Sequence, residues 1–139
     1  DIQMDTEIKR MDPLFHNEAE YQEFTQRHAQ ARVKTADLST YHGNIFLGID
    51  AGSTTTKLAL VSGQGELLYK FYANNEGSPI ATAIKSMKEI RDLLPSDARI
   101  AYSCSTGYGE ALLKSAFQLD EGEVETISHY YAAAFFEPE

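Results

Sequence analysis

A short polar turn between two apolar segments carries the residues best suited to chemistry. They are Asp50, Gly52, Ser53, Thr54, Thr55 and Lys57. Backbone N–H groups and hydroxyls in such a turn form a concave surface that suits a phosphate chain. A carboxylate beside a phosphate requires a hydrated Mg²⁺ between them, and a lysine adds a compact positive charge. The pattern predicts a phosphate site in which Asp50 positions Mg²⁺ and its waters.

The same stretch also fits a plain β-hairpin, because hairpin turns commonly contain glycine. The flanking segments Ile45–Asp50 and Lys57–Val61 are apolar and have the length of buried strands. A Walker-type loop does not fit, because Gly52 to Lys57 lacks the required Gly-x4-Gly-Lys-Ser/Thr spacing. Taken alone, the stretch leaves both the phosphate turn and the plain hairpin open.

Composition narrows the classes of function. The chain has 139 residues, 42% of them hydrophobic, and a formal net charge of −9. This describes a folded domain of ordinary size whose acidity disfavours a nucleic-acid surface. No run is apolar enough to span a membrane, and a single cysteine, Cys104, excludes an internal disulfide framework. We therefore expect a cytoplasmic protein with neither nucleic acid nor membrane among its partners.

The chain divides into a polar leading segment and a domain. Residues 1–43 are predicted to be a linker with a helix over about 13–33, which begins with Asp12 as N-cap and Pro13 in the first turn. Residues 44–139 form the domain. The chain starts without methionine and ends on Glu139, so we expect a fragment of a larger protein.

The domain has the pattern of a mixed α/β fold in the order β-β-β-α-β-α-α. Three strands are predicted to form an antiparallel meander, followed by an amphipathic helix that begins near Pro79. A strand, a second glycine-rich turn and another helix follow. The predicted ranges of these three elements are 99–105, 105–109 and 110–117.

Two predictions concern the end of the chain. Residues 120–123 are predicted to form an acidic loop. A last helix is predicted over 124–136, with one face buried. The residues of that face are Ile127, Tyr130, Tyr131, Ala134 and Phe135.

These motifs resemble a known family. Gly48–Lys57 resembles the first phosphate motif of the actin, sugar-kinase and heat-shock-chaperone ATPase superfamily, and the element order matches the first half of that ribonuclease-H-like domain. Ser105–Gly109 and Glu123–His129 narrow the resemblance to the BadF/BadG/BcrA/BcrD-type ATPases. These are CoA-substrate-specific enzyme activases that activate 2-hydroxyacyl-CoA dehydratases and benzoyl-CoA reductases. Met11–Phe15 is similar to the linker of large multidomain members.

The resemblance implies specific roles. Asp50 would position Mg²⁺ through water, Gly52–Thr55 would wrap the β- and γ-phosphates of ATP, and Lys57 would contact phosphate. The turn residues Thr106, Gly107 and Gly109 would be structural. ATP and Mg²⁺ are the implied cofactors of the complete domain. The parent protein of such a segment can carry an iron–sulfur cluster that is not ligated here, because a lone thiolate cannot hold one.

Departures of this sequence from the family's pattern limit what the resemblance implies. The family's second phosphate motif, its adenosine motif and its cluster cysteines have no counterpart in this sequence, and Glu110 stands where members often carry arginine. The implied partners are the remaining half of the ATPase domain, neighbouring domains and an acyl-CoA dehydratase or reductase. The parent is expected to be an ATP-hydrolysing activase, and the segment alone to be inactive. Two alternatives are a non-hydrolysing docking or scaffold module and a sugar or acetate kinase of the same superfamily.

Overall fold

The computed structural model describes residues 10–138 and divides the chain into two units, Asp1–Arg32 and Val33–Glu139. The first unit contains helix α1, Glu18–Gln30. It begins later than predicted because Asn17, and not Asp12, is the N-cap: Asn17 Oδ1 accepts a hydrogen bond from the Glu20 N–H at 3.0 Å. The Glu20 carboxylate in turn accepts from the His16 N–H at 2.7 Å. These two bonds satisfy the N–H groups of Glu20 and His16 at the helix start, which the Asp-Pro pair does not do here.

The second unit is built on a five-stranded sheet in the order β3-β2-β1-β4-β5. Strands β1, β2 and β3 form the predicted antiparallel meander, whereas β1 pairs with β4 in parallel, as does β4 with β5. The bounds are β1 Gly43–Ala51, β2 Thr55–Ser62, β3 Leu67–Asn74, α2 Pro79–Leu93, β4 Ala98–Thr106, α3 Glu110–Phe117, β5 Glu121–Gly122 and α4 Glu125–Phe136. The predicted acidic loop thus contains a short strand, β5, because its backbone pairs with Cys104 and Ser105.

One face of the sheet carries the core. In β1 and β2 the buried residues alternate with exposed or half-buried ones, as the period of a strand requires. The apolar residues buried on this face are Ile45, Leu47, Ile49, Ala51, Leu58 and Leu60. Helix α2 packs on this face through Ala83 and Ile90, and α3 through Leu113.

Strand β4 changes register beside β1. Ile45 pairs with Ile100, but Phe46 pairs with Tyr102, which leaves Ala101 without a partner in β1. A one-residue bulge of this kind exchanges the faces on which later residues lie. The shift pairs Asp50 with Thr106 at the end of the two strands.

The buried face predicted for α4 is wrong. Tyr130, Tyr131 and Phe135 are each about two-thirds exposed, and Ile127 and Ala134 are exposed as well. The helix contacts the rest of the unit through Phe135, whose ring lies close to Gly65, and through Ser128, which bonds to Thr106. It is apolar nearly all round, so its pattern does not specify which side is covered. Of the helices in residues 10–138, none has the length and apolarity needed to cross a membrane.

The assigned core predicts that a leucine-to-alanine substitution lowers the free energy of unfolding more at Leu60 than at Leu93. Leu60→Ala should lower the free energy of unfolding by about 2–5 kcal/mol, because Leu60 is fully buried in the central strands. Leu93→Ala is the matched control, since Leu93 is 52% exposed. Its cost should stay within about 0.5 kcal/mol. Urea denaturation measures both, and equal costs would contradict the assigned core.

Candidate functional site

The turn between β1 and β2 is tight. The ladder pairs Asp50 with Lys57 and Ala51 with Thr56, so residues 52–54 make the connection. The Gly52 N–H donates a hydrogen bond to the Thr55 carbonyl at 2.9 Å. Between these two residues, the Ser53 and Thr54 side chains are exposed at the tip. The turn thus presents the side chains of Ser53 and Thr54 to solvent.

Asp50 and Lys57 form an ion pair at the base of this turn. Lys57 Nζ lies 2.8 Å from Asp50 Oδ2, and the side chains are 48% and 21% exposed respectively. The hydrogen bond to Asp50 raises the pKa of Lys57 above its ordinary value. Because directly paired residues project on the same side of a ladder, the two charges face the solvent together. Both are therefore accessible to a ligand at the turn.

The second glycine-rich turn packs against this pair. The Gly109 N–H donates to the Ala51 carbonyl at 2.9 Å. Gly107 has φ +86°, and a Cβ there would stand 2.7 Å from Asp50 Oδ1 and 2.8 Å from the Ala51 carbonyl oxygen. Such contacts cannot be accommodated without movement of the backbone. Only glycine allows this approach, so Gly107 determines how closely the two turns meet.

Thr106 and Tyr108 flank this contact. The Thr106 hydroxyl donates to the Glu123 carbonyl at 2.7 Å and accepts from the Ser128 hydroxyl at 3.2 Å, which links β4 to the start of α4. Tyr108 is 93% exposed and projects from the turn. The structure therefore brings Thr106, Gly107 and Gly109 together with the Asp50 hairpin, an adjacency that their spacing in the sequence does not reveal.

One residue at the site is not among the sequence candidates. Asn75, just after β3, is only 3% exposed. Its Nδ2 donates to the Gly52 carbonyl at 2.8 Å, and its backbone N–H donates to the Thr54 carbonyl at 2.9 Å. Its Oδ1 accepts from the buried Thr56 hydroxyl at 2.7 Å. The available signal was the inward position of Thr56 in the strand alternation, because a buried hydroxyl requires a polar partner.

A trough of about 730 Å³ lies on the sheet face opposite the core. Asp50, Lys57, Thr106 and Ser128 form its polar end. Cys104 also lines it, and burial, together with nearby glutamates, raises the pKa of this thiol. Within residues 10–138, no group of three or more His, Cys, Asp and Glu side chains is arranged to hold a metal ion.

The donor set nevertheless fits one kind of cation. Mg²⁺ usually keeps several waters and is held by one or two carboxylates together with substrate phosphates. Asp50 is a partly exposed carboxylate beside a turn whose Ser53 and Thr54 side chains are exposed. This chemistry matches a Mg²⁺ held through water and phosphate, and it does not require a cage of protein ligands.

Comparison with known proteins places the fold. Neither the family models nor the curated proteins gave a match. The solved structures that are similar to this chain include two from 2-hydroxyacyl-CoA dehydratase systems. The activator of the 2-hydroxyisocaproyl-CoA dehydratase from Clostridium difficile, with bound ADPNP, is 20% identical with a TM-score of 0.53; the match covers 68% of this chain and 34% of the activator. Component A of the Acidaminococcus fermentans (R)-2-hydroxyglutaryl-CoA dehydratase is 26% identical with a TM-score of 0.57; coverage is 70% of this chain and 37% of component A.

Both neighbours have the actin-like ATPase fold. The predicted resemblance to activators of 2-hydroxyacyl-CoA dehydratases is confirmed in these structures, and the predicted actin-like, ribonuclease-H-like α/β fold is confirmed with it. The chain spans about a third of the length of each activator.

The contact between the two turns predicts that a glycine-to-alanine substitution lowers the free energy of unfolding more at Gly107 than at Gly77. Gly77→Ala should lower the free energy of unfolding by about 1–2 kcal/mol, because φ is +88° there but the space around a Cβ is open. Gly107→Ala meets the same strain and also clashes with Asp50 and Ala51. Its cost should be about 1–3 kcal/mol larger. Urea denaturation compares the two variants, and similar costs would contradict the close packing at Gly107.

Proposed function

We propose that this chain supplies the first phosphate-binding hairpin of an ATP-binding activator of 2-hydroxyacyl-CoA dehydratases or benzoyl-CoA reductase-like enzymes. The proposal builds on the actin-like ATPase fold of the chain. The observation that carries the proposal is the Asp50–Lys57 pair at the base of a tight Gly-Ser-Thr-Thr turn. The ADPNP bound to the Clostridium difficile activator supports a nucleotide as the ligand.

Each residue has a part in binding. The turn from Gly52 to Thr55 holds the β- and γ-phosphate oxygens with its hydroxyls and its remaining backbone N–H groups, since the Gly52 N–H is bonded to the Thr55 carbonyl. Asp50 holds water around Mg²⁺, and Lys57 neutralises phosphate charge. In the structure the Lys57 ammonium is engaged by Asp50, so phosphate competes with that carboxylate for it.

Hydrolysis is the reaction that these groups favour. Mg²⁺–ATP supplies a γ-phosphoryl group that can be transferred in line to water. There is little covalent work for the protein in such a transfer, and positioning and charge provide most of the acceleration. Asp50 orients water, the turn orients the phosphates, and the close contact with Gly107 keeps Asp50 in place.

The segment works as part of a longer, cytoplasmic protein. A chain that spans about a third of its structural neighbours leaves the second phosphate motif and the adenosine contacts to other residues. The remaining half of the domain closes the ATP cleft, and the excised segment binds ATP weakly. The partner of the whole protein is an acyl-CoA dehydratase or reductase, and any iron–sulfur cluster is ligated elsewhere.

A non-hydrolysing docking module is the second candidate. It is favoured by Glu110, which begins α3 directly after the second glycine turn, where activators often carry arginine. An acid at this position cannot make the contact with phosphate that an arginine could make. The rate of ATP hydrolysis by the full-length protein separates this candidate from the first.

Asp50 should be essential for hydrolysis. In the full-length protein, Asp50→Ala should lower the rate of ATP hydrolysis by at least about 100-fold, the scale on which loss of one positioned charge-stabilising group acts. Asp92→Ala is the control, since Asp92 lies on the exposed side of α2 and pairs with Arg91. Phosphate release measured with and without a reduced partner dehydratase tests this.

Three results would count against the proposal. Equal hydrolysis by the wild type and Asp50→Ala would remove the enzymatic role of this domain. ATP binding without hydrolysis in the wild type would favour the docking module. ADP release that depends on a sugar or a carboxylate acceptor would instead identify a kinase.

Lys57 should contribute to affinity through charge. Lys57→Met in the full-length protein should weaken binding of Mg²⁺–ATP by about tenfold, because a charge-assisted contact to phosphate is lost. Lys88→Met removes a lysine from the exposed side of α2 and serves as the control. Titration calorimetry at two salt concentrations measures both. An unchanged affinity in Lys57→Met would exclude phosphate contact by this lysine.

A further inference from the structure

The turn of residues 52–55, called here the phosphate turn, is hydrogen-bonded on its inner side by a residue that follows a different strand. Asn75 follows β3, yet its side chain and backbone reach both sides of the β1–β2 turn. The Gly52 and Thr54 carbonyls both accept hydrogen bonds from Asn75, at 2.8 and 2.9 Å. Both carbonyls therefore point inward, toward a residue that is almost fully buried.

This arrangement determines where the turn amides point. In a trans peptide the C=O and the following N–H lie in one plane and point in opposite directions. With the Gly52 carbonyl bonded to Asn75, the Ser53 N–H of the same peptide points away from the interior. Ser53 lies at the exposed tip of the turn, where an anion would approach. A hydrogen bond on the inner side thus sets the direction of a donor on the outer side.

The side-chain oxygen of Asn75 is also held by a hydrogen bond. Its Oδ1 accepts from the Thr56 hydroxyl at 2.7 Å, and Thr56 is fully buried. This bond leaves only the amide side of the Asn75 head group to face Gly52. A buried polar pair contributes little net stability compared with a well-packed apolar pair, but it selects one geometry because its groups cannot be left unpaired. The pair therefore defines one arrangement of the turn.

We propose that Asn75 is a positioning residue for the phosphate turn: it directs the Ser53 and Thr55 N–H groups, which belong to the peptides whose carbonyls it binds, toward the phosphates of a nucleotide. The inference rests on the proposed function and adds a residue to it from outside the hairpin. Asn75 does not touch the ligand and acts through the backbone of Gly52 and Thr54. Pre-organised donors of this kind bind charge without the cost of reorganisation.

Asn75→Asp in the full-length protein is the sharpest test. The substitution keeps size and the acceptor for Thr56, but at neutral pH it replaces the donor to the Gly52 carbonyl with a carboxylate oxygen. We expect Mg²⁺–ATP to bind about tenfold more weakly in the folded protein. Asn74→Asp is the matched control, because it adds the same charge one residue earlier at an exposed position. Its affinity should remain within about twofold of wild type.

Affinity is measured by titration calorimetry at a temperature where each variant is folded by circular dichroism. A merely structural Asn75 would change the unfolding temperature and leave the dissociation constant of the folded protein unchanged. Thr56→Val is the second variant and removes only the bond that holds the Asn75 head group. It should weaken binding by about threefold to tenfold, which keeps the inference testable if Asn75→Asp does not fold.

The outcomes are distinct. Wild-type affinity in folded Asn75→Asp, or in Thr56→Val where Asn75→Asp does not fold, overturns the inference alone. An equal loss in Asn74→Asp and Asn75→Asp assigns the effect to charge and also overturns it. Failure of the wild-type protein to bind Mg²⁺–ATP overturns the proposed function and the inference together. A loss confined to Asn75→Asp and Thr56→Val supports it.

Discussion

The parallel pairing of β1 with β4 is the constraint on which the site depends. Parallel strands finish at the same edge of a sheet, so the loops after them are neighbours. Here Asp50 ends beside Thr106, and the two glycine-rich turns come into direct contact. Neither turn has unusual features by itself. Because the two turns are in contact, a carboxylate, a lysine and outward-facing amides lie close together on one side of the candidate site.

The register of that pairing depends on one unpaired residue. Ala101 has no partner in β1, and beyond it the buried positions of β4 become Ser103 and Ser105. Without the shift, Asp50 would pair with Ser105, and Gly107 would lie one residue farther from the hairpin. Because side chains alternate strictly along a strand, the bulge also decides that Thr106 lies on the trough side, where it accepts the Ser128 hydroxyl bond.

Sequence patterns predicted much of the sheet, and their failures have physical causes. The meander and α2 follow from short-range signals: strand-length apolar runs, turn glycines, and a Ser78-Pro79 helix start whose Ser78 hydroxyl accepts the Ala81 N–H in the structure. Helix α1 begins later than predicted because Asp-Pro and Asn17…Glu20 are competing start signals, and the capping by Asn17 and Glu20 prevails. The predicted buried face of α4 is wrong because apolar residues lie on nearly every side of this helix, so its sequence carries little directional pattern.

The sequence by itself determined the chemistry of the hairpin. Asp50, the Gly-Ser-Thr-Thr turn and Lys57 are close together in the chain, so a tight hairpin brings the acid and the lysine to its base. Tertiary structure decided what supports them. Gly107 lies against Asp50, and Asn75 bonds to Gly52, through strand pairings that join residues distant in sequence. Local propensity reports on neighbours along the chain, whereas register, bulges and buried hydrogen bonds are set only when the sheet is assembled.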